Sequence, residues 1–335
     1  MTDDGGSGGA DDDEGAGGAD DEGSGGADDE GAGGADVHDR EGSGGTGPGG
    51  EEGSAAEGLD HEDYVAENRA HWDELAEHHP DTDAYDVEAF LDGETTLRRL
   101  EREELGDLAA GSRLLHLQCH FGLDTLTWVR DGGVAHATGV DFSETAVETA
   151  RDLRDQVGID HDRARFVEAD VLELPAVLED TYEVVFTSYG TVYWLPDLDR
   201  WAEGIAHALE PGGVFYMADG HPFVEPFHWE STADDPQVAH SYFNEDPLTF
   251  EHDGSYAGEG FGMENRRAHG YSHPVGEILT ALVDAGLRID FWHDHPWSFF
   301  QRFDAMEERE DGRWYLPGLE GDLPFTFSLK AHLPE

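Results

Sequence analysis

The chain has 335 residues, with 77 Asp and Glu against 19 Lys and Arg, and a formal net charge of −58. Such a charge repels nucleic-acid backbones and anionic membranes over the whole surface, which argues against both as partners. A single cysteine, Cys119, excludes an internal disulfide and any multi-cysteine zinc or iron–sulfur site held by one chain.

No run approaches the ~18 to 20 apolar residues of a membrane helix, and the N-terminus has no basic segment followed by an apolar one. The expectation is a soluble, cytoplasmic protein. Lys330 is the only lysine, and the other 18 basic residues are arginines. At molar salt the Debye length falls to about 3 Å and the self-repulsion is screened. The composition is that of a protein from a salt-in halophile, with an acidic binding protein as the alternative.

Residues 1–57 contain no Phe, Trp or Tyr and hold 20 of the 44 glycines. The block Gly-Gly-Ala-Asp-Asp-Glu begins at Gly17 and again at Gly25, and Gly-Gly-Ala-Asp follows at Gly33, a period of eight residues. Without regular apolar positions this reads as a disordered acidic tail, a candidate contact for basic partners. The turn glycines and ligand offsets of a dedicated Ca²⁺ loop are missing.

From Leu59 the composition is globular. Tyr64, Asn68, Trp72 and Leu75 or Ala76 recur at helical spacing within His61 to His78, and a second helix is expected over Glu94 to Leu108. Residues 58–110 are thus an N-terminal helical cap, ahead of one domain over 111–335. There strands and helices alternate. Strands are expected at Arg113–Cys119, His136–Phe142, Arg165–Ala169, Glu183–Ser188 and Val214–Ala218. Helices are expected at Asp124–Arg130, from the Ser143 cap to Gly158, and from Leu198 to Leu209. This rhythm predicts an α/β fold: a doubly wound, Rossmann-like parallel sheet with helices on both faces. Beyond His221 the alternation breaks until about Ser272. The stretch carries Trp229, Tyr242, Phe243, Phe250, Tyr256, Phe261 and Tyr271 among Gly, Pro and acidic residues. An insertion over about 221–272 at the ligand end of a sheet suggests a lid, and its aromatics suit an apolar or planar small-molecule substrate. A helix at Val275–Ala285 and strands at Leu287–Trp292 and Phe325–Leu329 follow.

In such a sheet, ligands bind beyond the carboxyl ends of the strands. The first strand runs into Gln118-Cys119-His120-Phe121-Gly122, the second ends at Asp141, the third at Asp170 and the fourth at Ser188-Tyr189. Asp141 lies 22 residues after Cys119. A close backbone turn followed at that spacing by an acid is the arrangement that holds a nucleoside ribose. Zinc binding by His116, Cys119 and His120 is an alternative that needs a tight turn to aim all three at one point.

Here the sequence resembles the class I S-adenosylmethionine-dependent methyltransferases. Leu114 to Gly122 stands where the family has its glycine-rich first motif, with Gln118 and His120 at places normally held by glycine. Gly139-Val-Asp-Phe-Ser143 matches the ribose-binding motif and Glu168-Ala-Asp-Val171 the adenine-edge motif. Tyr182 to Tyr189 with Pro196-Asp197, and Leu209 to Gly213, match the two later ones. His-Leu-Gln-Cys-His-Phe-Gly followed by Asp124-Thr125-Leu126 resembles a variant found among small-molecule methyltransferases. The resemblance implies a seven-stranded sheet with an antiparallel last strand and S-adenosyl-L-methionine as cofactor. Backbone groups around Gln118, His120 and Gly122 would hold the methionine part, with His116, Cys119, Val171 and Ser188 beside it. Asp141 would accept the ribose hydroxyls, Phe142 would pack on the adenine and Asp170 would receive its amine. His221 is the candidate general base, and Tyr189 and Tyr193 are candidate substrate contacts. Tyr64, Trp72 and Tyr85 could close the pocket from above. An NAD(P)-dependent oxidoreductase is the alternative enzyme, disfavoured because the first turn lacks a full Gly-x-Gly-x-x-Gly. A non-catalytic cofactor-binding or assembly protein is the alternative outside catalysis.

Overall fold

The computed structural model describes residues 51–52, 61–251, 254–257 and 262–335. Of the tail expected over 1–57 only residues 51–52 are described, as a short extended pair against Phe250 and Glu251. Phe261 also lies outside the described residues.

Seven strands form one sheet: β1 (Arg113–Leu117), β2 (His136–Asp141), β3 (Ala164–Glu168), β4 (Tyr182–Ser188), β5 (Leu209–Gly220), β8 (Arg288–His295) and β11 (Thr326–His332). Their spatial order is β3-β2-β1-β4-β5-β11-β8. The first five pair in parallel, and β11, the last strand in sequence, is antiparallel to both its neighbours. That is a doubly wound, Rossmann-like topology. The chain reverses its winding between β1 and β4, so a crevice opens beyond their C-terminal ends.

Helices cover both faces. On one, Leu126 and Trp128 of α5 (Leu123–Arg130) join Val147 and Ala150 of α6 (Glu144–Gln156) over Leu114 and Phe186. On the other, Trp201 and Ile205 of α8 (Leu198–Ala208) and Ile278 and Leu282 of α9 (Val275–Asp284) pack over Leu115, Leu117 and Phe215. Strands buried on both faces read as continuous apolar runs, which is why β1 is Leu-Leu-His-Leu.

Ahead of the sheet, α1 spans His61–His78, followed by α2 (Val87–Leu91). The single helix expected over Glu94 to Leu108 is instead two, α3 (Arg99–Glu104) and α4 (Gly106–Ala109). Thr96 spends its hydroxyl on the Asp124 side chain at 2.6 Å rather than on a helix, and Gly106 weakens helix propagation after Leu105. Between β5 and α9, residues 221–274 are mostly irregular but contain an antiparallel pair, β6 (Leu248–Glu251) and β7 (Arg267–Gly270). Between β8 and β11 a second irregular stretch holds the short pair β9 (Glu307–Glu308) and β10 (Trp314–Tyr315).

Candidate active site

The crevice beyond β1, β2, β4 and β5 is a cavity of about 1800 Å³. Single small-molecule pockets run from about 300 to 1,000 Å³, so a cofactor and a second molecule fit side by side.

Its floor is the turn after β1. Gln118 and His120 adopt left-handed backbone, at φ 51° and 49°. Glycine takes this conformation at little cost, and the chain keeps it here with side chains in glycine's place. Gly122, at φ 78°, has no such choice: a Cβ there would lie 2.5 Å from the Phe166 ring and 3.0 Å from Ala150. The turn delivers the backbone N–H of His120 to Asp141 Oδ2 at 2.7 Å, while the Ser143 N–H donates to Oδ1 at 3.0 Å. Asp141 is thus braced at the end of β2, and Ser143 caps α6 by accepting from the Ala146 N–H. Burial raises the Asp141 pKa to about 6 against the pull of these donors.

Gln118 donates its side-chain amide to the Thr191 carbonyl at 3.0 Å, and its Oε1 is buried with no partner among the described residues. His116 Nδ1 shares a proton with Thr125 Oγ1 at 2.7 Å, and its Nε2 likewise has no described partner. Burial lowers the His116 pKa to about 3, so the ring is neutral. Phe142, Asp170, Val171 and Ser188 line the same cavity. Arg69 sits 5.9 Å from the Phe142 ring centroid, and Asp170 caps the turn that follows it by accepting from the Leu172 N–H.

Residues 114–213 match the methyltransferase-domain family. Among curated relatives, the chain is 35% identical over 107 residues to a ribosomal RNA large subunit methyltransferase K/L of Aeromonas hydrophila, covering 31% of this chain but only 14% of that protein. It is 30% identical over 128 residues to an S-adenosyl-L-methionine-dependent Diels-Alderase of Talaromyces variabilis, covering 37% and 42% of the two chains. A solved S-adenosylmethionine-dependent methyltransferase from Listeria monocytogenes aligns over 70% of this chain and 98% of its own, at 18% identity and a TM-score of 0.49.

Domains of this kind take S-adenosyl-L-methionine as methyl donor, and the residues present suit it. Its amino group needs acceptors, and the orphaned Gln118 Oε1 is one buried in the floor. Its ribose needs an anionic acceptor, and Asp141 is one already held in place. A zinc reading of His116, Cys119 and His120 fails: no group of three or more metal-ligating side chains converges among the described residues. Cys119 is buried, which pushes its thiol pKa well above the usual range.

The structure departs from expectation at His221, which is not among the residues lining the cavity. Its Nδ1 accepts the Phe223 N–H at 3.1 Å, capping the turn that Pro222 begins, and its Nε2 faces Asp294 Oδ1 at 3.2 Å. With both nitrogens engaged and the ring edge-on to Trp292 and Phe327, it caps the strand end. Tyr189 and Tyr193 do line the cavity. The Tyr193 ring lies against Gly270, where a Cβ would come within 2.0 Å of it. Trp72 and Tyr85 line the cavity too, whereas Tyr64 packs on the His269 ring at 4.6 Å outside it.

Three features escaped the sequence. Asp219, at the end of β5, accepts from the N–H groups of Thr191 and Val192 at 2.8 and 3.0 Å and from that of Gly220 at 2.7 Å, fixing the loop that carries Tyr193. Phe299, Phe300 and Trp314, from the stretch before β11, line the same cavity. The run Trp297-Ser-Phe-Phe300 was the available signal. The third is a histidine pair: His79 Nδ1 meets His120 Nε2 at 2.8 Å, and its Nε2 meets Ser255 Oγ at 2.7 Å. Burial lowers both histidines, His79 to about 3, so the pair is neutral.

Proposed function

We propose that this protein moves the methyl group of S-adenosyl-L-methionine to a small-molecule acceptor by in-line displacement. The observation that carries the reading is the buried Asp141 carboxylate, braced by two backbone N–H groups beside a left-handed turn, in the floor of a cavity with room for a second molecule. The bound cofactor supplies an already activated methyl carbon. What remains for the chain is to orient two molecules and exclude water, and orientation alone is worth about 7 to 11 kcal/mol. Asp141 holds the ribose, Phe142 packs on the adenine and Asp170 takes its amine. The turn from His116 to Gly122, with Cys119 at its centre and Ser188 beside it, holds the methionine half. Val171 closes the adenine end.

The acceptor half is lined by Tyr189, Tyr193, Trp194, Phe250, Phe299 and Trp314. Aromatic walls of this kind favour an apolar or planar acceptor. Residues 221–272 act as the substrate lid and 58–110 as the cap that closes over the cofactor. Partial relatives that methylate ribosomal RNA raise nucleic acid as a substrate, but a net charge of −58 opposes phosphate contact. No helix among the described residues is long and apolar enough to cross a membrane. A cytoplasmic, halophilic setting completes the reading, with the acidic tail as a contact for basic partners.

A thermal-shift series in multimolar KCl tests it. S-adenosylmethionine and S-adenosylhomocysteine at 100 times Kd each stabilise the fold by about 2.7 kcal/mol, and NADH gives no shift. A shift with NADH alone overturns the reading.

A further inference from the structure

Behind the cavity wall lies an acid that the function just described leaves unused. Glu101 of α3 is completely buried. Its Oε1 accepts the Arg98 backbone N–H at the start of the helix, and its Oε2 accepts the Tyr189 hydroxyl at 2.9 Å. Tyr189 follows β4 directly and lines the cavity, two residues before the carbonyl that anchors Gln118. The phenol therefore joins the reaction chamber to a carboxylate that solvent does not reach. Around it stand Asp124 at the start of α5, the Arg98 guanidinium 5.4 Å from the Tyr189 ring centroid, and Tyr216 of β5. The Tyr216 hydroxyl donates to Glu104 at 2.9 Å, and Glu104 also meets His293 Nδ1 at 2.8 Å.

We propose that Tyr189 and Glu101 form a proton-accepting dyad for methyl transfer, in which Tyr189 touches the acceptor and Glu101, as positioning residue behind it, stores the proton. This rests on the methyltransferase reading and narrows it, because the acceptor must be an oxygen or nitrogen that carries a proton. As the new bond to the methyl carbon forms and the sulfur–methyl bond breaks, the acceptor's proton passes to the Tyr189 oxygen. The Tyr189 proton passes to Glu101 Oε2. One positive charge on the donor and one negative charge on Glu101 disappear together, so the buried chamber is left with no unpaired charge.

Burial, reinforced by Asp124, raises the Glu101 pKa to about 7, which suits a group that must be ionised before the reaction and basic during it. Oε1 caps α3, and Oε2 is turned to a phenol that lines the cavity.

The test is calorimetric titration of the full chain at pH 7 in multimolar KCl, in two buffers of different ionisation enthalpy. S-adenosylmethionine carries the positive sulfonium and S-adenosylhomocysteine does not. A nearby cation lowers the Glu101 pKa, so S-adenosylmethionine should release about 0.5 proton more than S-adenosylhomocysteine. In Glu101→Gln this excess should vanish while S-adenosylhomocysteine still binds. In Tyr189→Phe the carboxylate loses a donor that favours its ionised form, so the release should shift to higher pH, a readout that also serves if Glu101→Gln does not fold. Equal proton counts in the wild type, or an excess that survives Glu101→Gln, would overturn the dyad and leave the cofactor reading standing. Failure of both ligands to bind would overturn the two together.

Discussion

The two halves of the cavity are built on different principles. The half assigned to the cofactor consists of strand ends: Gln118, Asp141, Asp170 and Ser188 each lie at or just beyond the end of a paired β-strand, and neighbouring backbone fixes their positions. The half assigned to the acceptor is assembled from segments distant in sequence and held by polar contacts. The Asn68 side chain on α1 brackets His269 of β7, donating to its carbonyl at 2.9 Å and accepting from its N–H at 2.7 Å. Glu74 accepts the N–H groups of Glu264 and Asn265 at 2.6 and 2.7 Å. His79 reaches Ser255. A covering held by hydrogen bonds opens at lower cost than a packed core, because water replaces the lost partners. A rigid floor under a separable roof is what an enzyme needs that must admit and release two ligands.

That contrast can be broken at four points. Asp141→Ala removes the anionic ribose acceptor and should weaken S-adenosylhomocysteine binding by at least about 100-fold, about 3 kcal/mol, while the free protein stays folded at a lowered melting temperature because the His120 and Ser143 N–H groups lose their acceptor. Calorimetry with a thermal melt checks both. Gly122→Ala strikes the floor itself, through a Cβ against Phe166 and a left-handed backbone. It should cost about 2 to 4 kcal/mol of stability, read by denaturant unfolding at constant high salt.

The pH dependence should sharpen the same point. The ionised Asp141 is the form that accepts ribose hydroxyls, and its pKa stands at about 6, so affinity is full above that value. It should fall by about tenfold per pH unit below it, and a flat profile from pH 7 to 5 would separate Asp141 from the ribose. Asn68→Ala, in contrast, should weaken cofactor binding far less than Asp141→Ala does and cost only about 1 to 2 kcal/mol of stability, felt at the roof. Hydrogen exchange should quicken over Arg267–Gly270 but not over Arg113–Leu117.

The same division decides how much could be read from the sequence. The floor was legible because strand, turn and acid follow one another at fixed spacing, and Ser143 and Gly158 mark the helix between them. Even the departure at Gln118 and His120 kept the glycine-like backbone that its position demands. The roof was legible only as a break in rhythm. Whether His221 faces the cavity depends on Asp294, 73 residues away, and on a cap made for the Phe223 N–H. Glu101 looks like any exposed helix acid until Tyr189, 88 residues later, arrives against it. Contacts at such separation leave no periodic mark, and the wall from Phe299 to Trp314 went unseen for the same reason.

The central claim is that the floor around Asp141 holds S-adenosylmethionine. Calorimetric titration of the wild type and Asp141→Ala with S-adenosylhomocysteine, in multimolar KCl at pH 7, tests it most directly. Saturable one-to-one binding to the wild type is expected, and none measurable to the variant at the same concentrations. Equal binding to both, with each protein shown to be folded, would contradict it.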